Sequence, residues 1–534
     1  MDGFKIIKLL KILLYFFFAI TSIAAQKLGN QWCFGDSAGI DWNDPENQEF
    51  FSSASQFRGS CASIADTNGS LSFYCANSIP SGITCPNAQI NFVYNKNHQL
   101  MEDGNCLPGA GWYNEHTIFP APDSDSLFYV FSVDNRFTVS YNVVDINVND
   151  GLGKVIERNH QLEYPIDPNG SLGYFSWSLA AVKHGNGRDW WVIAKSGGGS
   201  VELGFSTLQY FIFLITPEGV TTTYLPDDGT IQSLQQLLFN HQGNKFYVVS
   251  FSGELKEFNF NRCNGELELN RTIDTIFVAN GGTDSVYTRA YFFSELSPNG
   301  RFLYISSLPY PECYTSYGYL LQYDLWTENP MEHIDTLSIY GQAIDGYDDF
   351  NGAGSLRLAP DGKIYFSQGM QSCTENLLPY PDSLYTIKNT YLSIINNPDS
   401  LGSASNFTDR SFYLGGNRTY VGLPNNPNYN LEPLPECDTL ATAIKPQKQF
   451  LKKNFNIFPN PCIDNCILEY KPAKAIGKIT ICNAQGKVIF KEENIPVTLL
   501  QHGYEVNLSA FAKGIYTVTL VTGEEVVTKR LVKM

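Results

Sequence analysis

The chain has 534 residues, of which 43% are hydrophobic and only 17% charged, a balance that suits a packed core and excludes a disordered or coiled-coil chain. Aromatics make up 14%, with 31 Tyr and 36 Phe, and they lean toward β-structure. Lys plus Arg is 36 against 53 Asp plus Glu, a net charge of −17; an acidic surface repels phosphate backbones, so no nucleic-acid partner is expected.

Residues 1–25 read as a secretory signal peptide. Lys5, Lys8 and Lys11 form a positive leading region, Ile12 to Ile20 is an apolar run too short to span a bilayer, and small residues follow. Cleavage after Ala24 or Ala25 is expected. No later segment reaches ~18 uninterrupted apolar residues, so the mature chain is expected to lack a transmembrane helix.

Export makes the cysteines legible. Twelve are present, five of them before residue 107 and three after residue 460, and an even count in an oxidising compartment allows full pairing. No CxxC, haem-attachment or zinc spacing occurs. Disulfides are expected, with a staple in the segment before residue 107; the connectivity stays open.

A turn followed by an apolar, β-rich strand recurs along the larger part of the chain. It appears as LSFYC after Asn68-Gly69, LFYVFSV after Asp125-Ser126, WWVIAK after Asn186-Gly187 and KFYVVSF after Gln242-Gly243. FLYIS after Asn299-Gly300, KIYFS after Asp361-Gly362 and TYVGL after Asn417-Arg418 complete the series. Successive turns lie 57, 61, 56, 57, 62 and 56 residues apart. Seven units of nearly constant length suit a seven-bladed β-propeller with four antiparallel strands per blade, and Asn-Gly or Asp-Gly supplies the positive φ of tight hairpins. The competing fold is a multi-domain β-sandwich array. Propellers close by pairing both ends of the module, so residues 32–42 are expected to share a blade with residues 418–423.

The phrases LSPNG (296–300) and LAPDG (358–362) resemble those of YVTN-like and WD40-like propellers. WCFGDSAGIDW (32–42), CASIADTNGSLSFYC (61–75), YNVVDINVNDGLGKV (141–155), AAVKHGNGRDWWVIAK (180–195) and LGGNRTYVGLPN (414–425) are similar to the secreted propellers of Bacteroidetes. That resemblance covers about 400 residues and speaks to fold more than to activity.

Residues 441–534 hold 13 Lys/Arg against 7 Asp/Glu, a net of +6, which leaves −25 for the mature part before them. The change of sign marks two modules. The expected organisation is a propeller over 26–430, a Pro- and Lys-bearing linker over 431–454 and a small immunoglobulin-like β-sandwich over 455–534. In the last module NIFPNP (456–461), ITICNAQGKVIF (479–490), VNLSAFAKGIYTVTLVT (506–522) and VVTKRLVKM (526–534) resemble, in order and spacing, the type A C-terminal sorting domain of the type IX secretion system. On that resemblance Asn456, Pro459, Asn460, Pro461, Gly486, Gly514, Tyr516, Lys529 and Lys533 carry the sorting motif. The implied partners are the translocon and a surface sortase, and the implied location is the outer cell surface or the medium, reached through the periplasm. Cys462, Cys466 and Cys482 depart from the pattern, and a local 462–466 disulfide is one option.

No residue is singled out as catalytic. Gly35 to Gly39 matches G-x-S-x-G, but Ser37 lacks the strand-to-helix context that exposes a nucleophile. His184 and His241 sit in turns, where a hydrogen-bonding role fits better than a ligand role. Asp145 to Gly151 copies part of a calcium-loop spacing but places its glycine one residue late and Ile156 at the twelfth position, so it reads as strand plus turn. Asp345, Asp348, Asp349 and Asn351, in DGYDDFNGAG, form the better candidate binding loop. Calcium is its one conceivable ion; no metal or other cofactor is assigned. Trp190 and Trp191 are adjacent on a strand, so one faces inward and one outward. The expected function is a non-enzymatic surface or secreted propeller that binds a glycan or a protein. The alternatives are a hydrolase or lyase acting on polysaccharide at the central channel, and a structural surface-layer component.

Overall fold

The computed structural model describes residues 27–56, 59–77, 83–85, 90–109, 111, 113–134, 138–162, 174–197, 208–227, 235–250, 253–275, 289–309, 318–340, 354–368, 385, 387–437, 455–470, 476–483, 487–522 and 525–534. Ala24, Ala25, Asp345, Asp348, Asp349, Asn351 and Gly486 lie outside the described residues. The chain divides into two units, residues 1–442 and 443–534.

Among the described residues the first unit holds seven antiparallel sheets in chain order. Sheet one is β1 (Gln31–Phe34), β2 (Asp36–Asp41) and β3 (Glu49–Gln56); sheet two is β4 (Ala62–Ala65), β5 (Leu71–Ala76) and β6 (Phe92–Asn95). Sheet three comprises β7 (His116–Pro120), β8 (Leu127–Val133), β9 (Val139–Asp145) and β10 (Lys154–Gln161), and sheet four β11 (Tyr174–Lys183), β12 (Trp190–Gly197), β13 (Leu208–Thr216) and β14 (Gly219–Asp227). Sheet five follows with β15 (Gln235–Phe239), β16 (Lys245–Ser250), β17 (Glu254–Phe260) and β18 (Leu267–Thr275). Sheet six has β19 (Arg289–Leu296), β20 (Phe302–Pro309), β21 (Gly318–Asp324) and β22 (Ile334–Tyr340), and sheet seven β23 (Leu356–Leu358), β24 (Ile364–Phe366), β25 (Tyr391–Ile395) and β26 (Phe407–Tyr413).

Six of the seven repeated turns are the hairpin between the first two strands of a sheet, from β4–β5 to β23–β24. Gly300 and Gly362 show why: their φ values are +74° and +79°, a region that a side chain would strain. The seventh turn behaves differently. Residues 417–437 form no hairpin; they run as an irregular tail that ends in a short helical turn, and the remaining blade is sheet one, β1–β2–β3, from the start of the chain.

Apolar seams join neighbouring sheets all the way round. Phe73 of sheet two meets Phe128 of sheet three at 5.6 Å, Phe119 of sheet three meets Trp190 of sheet four at 5.1 Å, and Tyr210 of sheet four meets Phe258 of sheet five at 5.2 Å. Leu238 and Tyr247 of sheet five share a cluster with Leu303 and Tyr323 of sheet six, and Tyr304 of sheet six shares one with Phe366 of sheet seven. The ring closes where Trp42 of sheet one lies 5.0 Å from Tyr365 and 5.9 Å from Phe412 of sheet seven. A seven-bladed propeller results, and each blade buries both of its faces. Trp190 and Trp191 do point to opposite faces of β12, yet both are buried, at 2% and 4% exposure, because a neighbouring blade covers each side.

The second unit is a two-sheet sandwich. One sheet has β27 (Phe455–Phe458), β28 (Asn465–Tyr470) and β31 (Tyr504–Asn507); the other has β29 (Gly477–Cys482), β30 (Val488–Ile495), β32 (Gly514–Thr522) and β33 (Glu525–Lys533). Period-two alternation places Ile479 and Ile481 with Tyr516, Val518 and Leu520 in one core, and the short helix Val497–His502 adds Leu500.

Full cysteine pairing is not found. The disulfides among the described residues are Cys85–Cys106 and Cys263–Cys437. Cys33, Cys61, Cys75, Cys462, Cys466 and Cys482 are free thiols, so the local 462–466 option is not realised. Cys33, Cys61 and Cys75 are buried in apolar seams that push their thiols up, which suppresses the thiolate that disulfide exchange requires.

Candidate functional site

In the second unit, residues far apart in the motif strings come together. Asn460 brackets the last strand: its Nδ2 donates to the Arg530 carbonyl at 2.8 Å, and its Oδ1 accepts from the Val532 amide at 2.9 Å. Pro459 and Pro461 follow cis peptide bonds on either side of it. Cys462 then continues the zipper, its amide donating to Val532 and its carbonyl accepting from Met534, both at 2.9 Å. Lys529 donates to the Phe455 carbonyl at 2.9 Å, Lys533 to the Ile463 carbonyl, and Asn456 to Glu469 at 3.4 Å. Gly514 opens β32 opposite Lys533, and the Tyr516 hydroxyl donates to the Ala512 carbonyl. The two ends of the domain are thus hydrogen-bonded together, with Asn460 exposed and Cys462 and Lys533 buried at the junction. Burial pushes the Cys466 thiol up to about 12 and raises that of Cys462, with Lys533 opposing the latter shift.

In the ring, the tail closes the gap between sheets seven and one and then crosses the centre. The Asp36 amide donates to the Arg418 carbonyl at 2.8 Å and the Arg418 guanidinium to the Asp36 carboxylate at 2.8 Å, while the Ser355 amide donates to Val421 at 2.8 Å. The expected closure by residues 418–423 is present only at Arg418, in two isolated bridges to Asp36 and Ser37, with irregular backbone beyond it. Gly35 meets the Arg418 carbonyl so closely that a Cβ there would sit 2.5 Å from it. Ser37 lies at the start of β2 in a strand-turn-strand setting, with φ at +68°.

Further along, Arg357 donates to the carbonyls of Pro424 and Asn426 and to Asn425 Oδ1, and it lies 3.5 Å from the buried carboxylate of Glu295. Asn425 Nδ2 reaches the carbonyls of His116 and Leu179, both at 3.0 Å, and Asn428 reaches that of His241 at 2.8 Å. Tyr429 donates to the Ile118 carbonyl at 2.8 Å, Arg262 to Glu432 at 3.0 Å, and the Leu434 amide to Gly185 at 2.7 Å. Cys437 is then bonded to Cys263 in the β17–β18 turn. His184 and His241 keep turn roles, pairing with the carbonyls of Cys263 at 2.9 Å and Leu296 at 3.2 Å. His116 is fully buried with Nδ1 against the Ser60 hydroxyl, and burial lowers its pKa from 6.5 to about 3. Asp145 ends β9, and its carboxylate accepts from the Asn147 amide at 3.0 Å, the strand-plus-turn reading.

Residues 456–534 match the family described as "Secretion system C-terminal sorting domain". No curated protein matches the chain. Solved structures similar to it include a protein from Lactobacillus plantarum (11% identity, 74% of this chain and 98% of that chain, TM-score 0.43). The periplasmic gluconolactonase of Pseudomonas aeruginosa is similar at 11% identity, over 74% and 98%, with TM-score 0.42. PorZ, an essential bacterial surface component of the type IX secretion system of Porphyromonas gingivalis, is similar at 11% identity, over 94% and 74%, with TM-score 0.30. The chain is an exported β-propeller carrying a type IX secretion C-terminal sorting domain, destined for the cell surface or the medium. Among the described residues no helix is long and apolar enough to cross a membrane.

Proposed function

We propose that the ring is a non-catalytic binding module that engages a glycan or a protein at the cell surface. The observation that supports this reading is the tail: Arg357 is committed to holding its Pro424, Asn425 and Asn426, and Asn425 in turn ties the tail to the His116 and Leu179 carbonyls of two other blades. Groups tied into a closing strap are poorly placed to exchange protons with a substrate, since acid–base work needs a group free to reach the reacting atom. In this reading the signal peptide ends at Ala24 or Ala25, residues 26–430 form the binding ring and residues 431–454 lead to the sorting domain. The translocon reads the surface around Asn460, which the buried Lys533 helps to shape, a sortase removes the domain, and the loop with Asp345, Asp348, Asp349 and Asn351 contributes to binding.

The test uses the purified mature chain against polysaccharide, ester and peptide libraries, with a glycan array and a cell-surface pull-down alongside. The expected result is retention of a ligand with no product released, and no effect of Ser37→Ala. Turnover abolished by Ser37→Ala would overturn the reading. Turnover that survives that change but requires calcium would favour a polysaccharide lyase.

A further inference from the structure

Buried polar side chains in folded proteins are almost always hydrogen-bonded, to protein or to ordered water. Three side chains at the join of sheets two and three depart from that rule together. Asn77 is 2% exposed, and neither its Nδ2 nor its Oδ1 has a hydrogen-bond partner among the described residues. Asn91 and His116 are fully buried, and Asn91 Oδ1 and His116 Nε2 are unpartnered in the same sense.

The fold sets these groups side by side. In the β5–β6 pair Ala76 stands opposite Phe92, so the next step of the same register puts Asn77 opposite Asn91, on one face of the sheet. Leu107 is joined to Asn91 by two backbone hydrogen bonds, at 2.8 and 3.2 Å, and the chain then passes over the pair at Gly109 and Gly111. A Cβ at Gly109 would stand 2.5 Å from His116 Nε2 and 2.7 Å from Asn91 Cβ, and one at Gly111 would stand 2.8 Å from Asn77 Cγ. The two glycines thus bring the backbone down onto all three side chains. Residues 59 and 60 complete the enclosure: the Gly59 amide donates to the Gly111 carbonyl at 3.3 Å, while Ser60 Oγ meets His116 Nδ1 and accepts from the His116 amide at 3.1 Å.

The chemistry of the unpartnered atoms selects the occupant. All three side chains are neutral, since burial holds the pKa of His116 down at about 3, and they offer no charge to offset that of a buried ion. Asn91 Oδ1 requires a donor, Asn77 requires a donor and an acceptor, and His116 Nε2 requires one or the other according to its tautomer. Water supplies both from one molecule, whereas a metal cation serves acceptors alone and an anion serves donors alone. Nor is an opening to solvent needed, because internal water of this kind is part of the folded structure.

We propose that Asn77, Asn91 and His116 bind internal water that bridges blades two and three beneath the strap. The position gives this water a task. Asn425 of the strap donates from its amide to the Cys61 carbonyl at 2.9 Å and from Nδ2 to the His116 carbonyl at 3.0 Å. The backbone that seats Asn425 is therefore the backbone that encloses the water, and the water fixes that seat whatever the ring binds.

The experiment is a crystal structure of the mature chain at a resolution that shows ordered water, together with thermal melts of Asn77→Leu. The expected result is discrete water density within hydrogen-bond distance of both His116 Nε2 and Asn91 Oδ1, and a lower Tm for the variant, because the water loses its bonds to Asn77. A dry site predicts the opposite sign, since a leucine of similar size removes two unpaired polar atoms. An unchanged or raised Tm, or a site without density, overturns the proposal. So does density with an anomalous signal, which marks a metal ion, or a rotation of Asn77 and Asn91 that pairs them with each other. Should Asn77→Leu fail to fold, the wild-type density alone decides.

Discussion

Replacing both cysteines of the Cys263–Cys437 disulfide with serine tests whether the strap stabilises the ring. The bond closes a loop with a sequence separation of 174, and the chain-entropy relation gives about 5 kcal/mol at 25 °C for a loop of that length. Native contacts of the strap survive the change: Arg262 to Glu432 at 3.0 Å, Leu434 to Gly185 at 2.7 Å and Tyr429 to Ile118 at 2.8 Å, each contributing about 1 kcal/mol. They hold the strap in the folded state, so the loss comes from the added freedom of the unfolded chain. Unfolding entropy near 2.1 cal/mol/K per residue, over roughly 400 residues, converts 5 kcal/mol into a fall in Tm of about 6 °C. Scanning calorimetry of the mature chain reads it, and dithiothreitol added to wild type should lower Tm by a similar amount. An unchanged Tm in Cys263→Ser/Cys437→Ser, with wild type equally indifferent to reductant, would refute the argument.

Four other outcomes are expected. His116 stays neutral in the folded protein down to about pH 3, whereas the unfolded chain protonates it below about 6.5. Stability is therefore full above pH 6.5 and falls by about 1.4 kcal/mol per unit as the pH drops toward 3; urea titrations at pH 7.5 and 5.5 should show His116→Gln losing about 1.4 kcal/mol less than wild type, and equal losses would count against it. Trp42→Ala removes a fully buried ring from the closing seam and should cost about 3–5 kcal/mol by denaturant melts, where a loss below about 1 kcal/mol would mean the ring does not close there. Deleting residues 455–534 should leave a folded protein trapped in the periplasm, and Asn460→Ala, which removes two hydrogen bonds to β33, should destabilise the sorting domain by about 2 kcal/mol; truncated protein outside the cell at wild-type level contradicts the first, and an unchanged melt of the domain the second.

The repeat and the sorting strings were legible because their determinants are local. Asn-Gly and Asp-Gly turns select positive φ wherever they stand, and alternation along β29 and β32 assigns one face to the core within a few residues. What the sequence hid depends on partners that are distant along the chain. Asn417-Arg418 carries the same local signal as the other turns, yet the backbone after Arg418 is drawn across the centre of the ring by Arg357, His116 and Leu179. Alternation separated Trp190 from Trp191, and only the ring buries both, because every blade is covered on each side. The thiols of Cys33, Cys61 and Cys75 read as disulfide partners by count and became seam residues by packing, whereas Cys263 found Cys437 through the course of the strap. Residues 456–461 and 529–534 were two separate strings until Asn460 joined them, and the meeting of His116 with Asn77 and Asn91 has no signature in the order of residues. Sequence by itself determined turns, strands and destination, since these follow from backbone preference and short-range pattern. Tertiary structure decided closure, cysteine pairing and the buried polar site, since these follow from which surfaces meet once the blades are arranged in a ring.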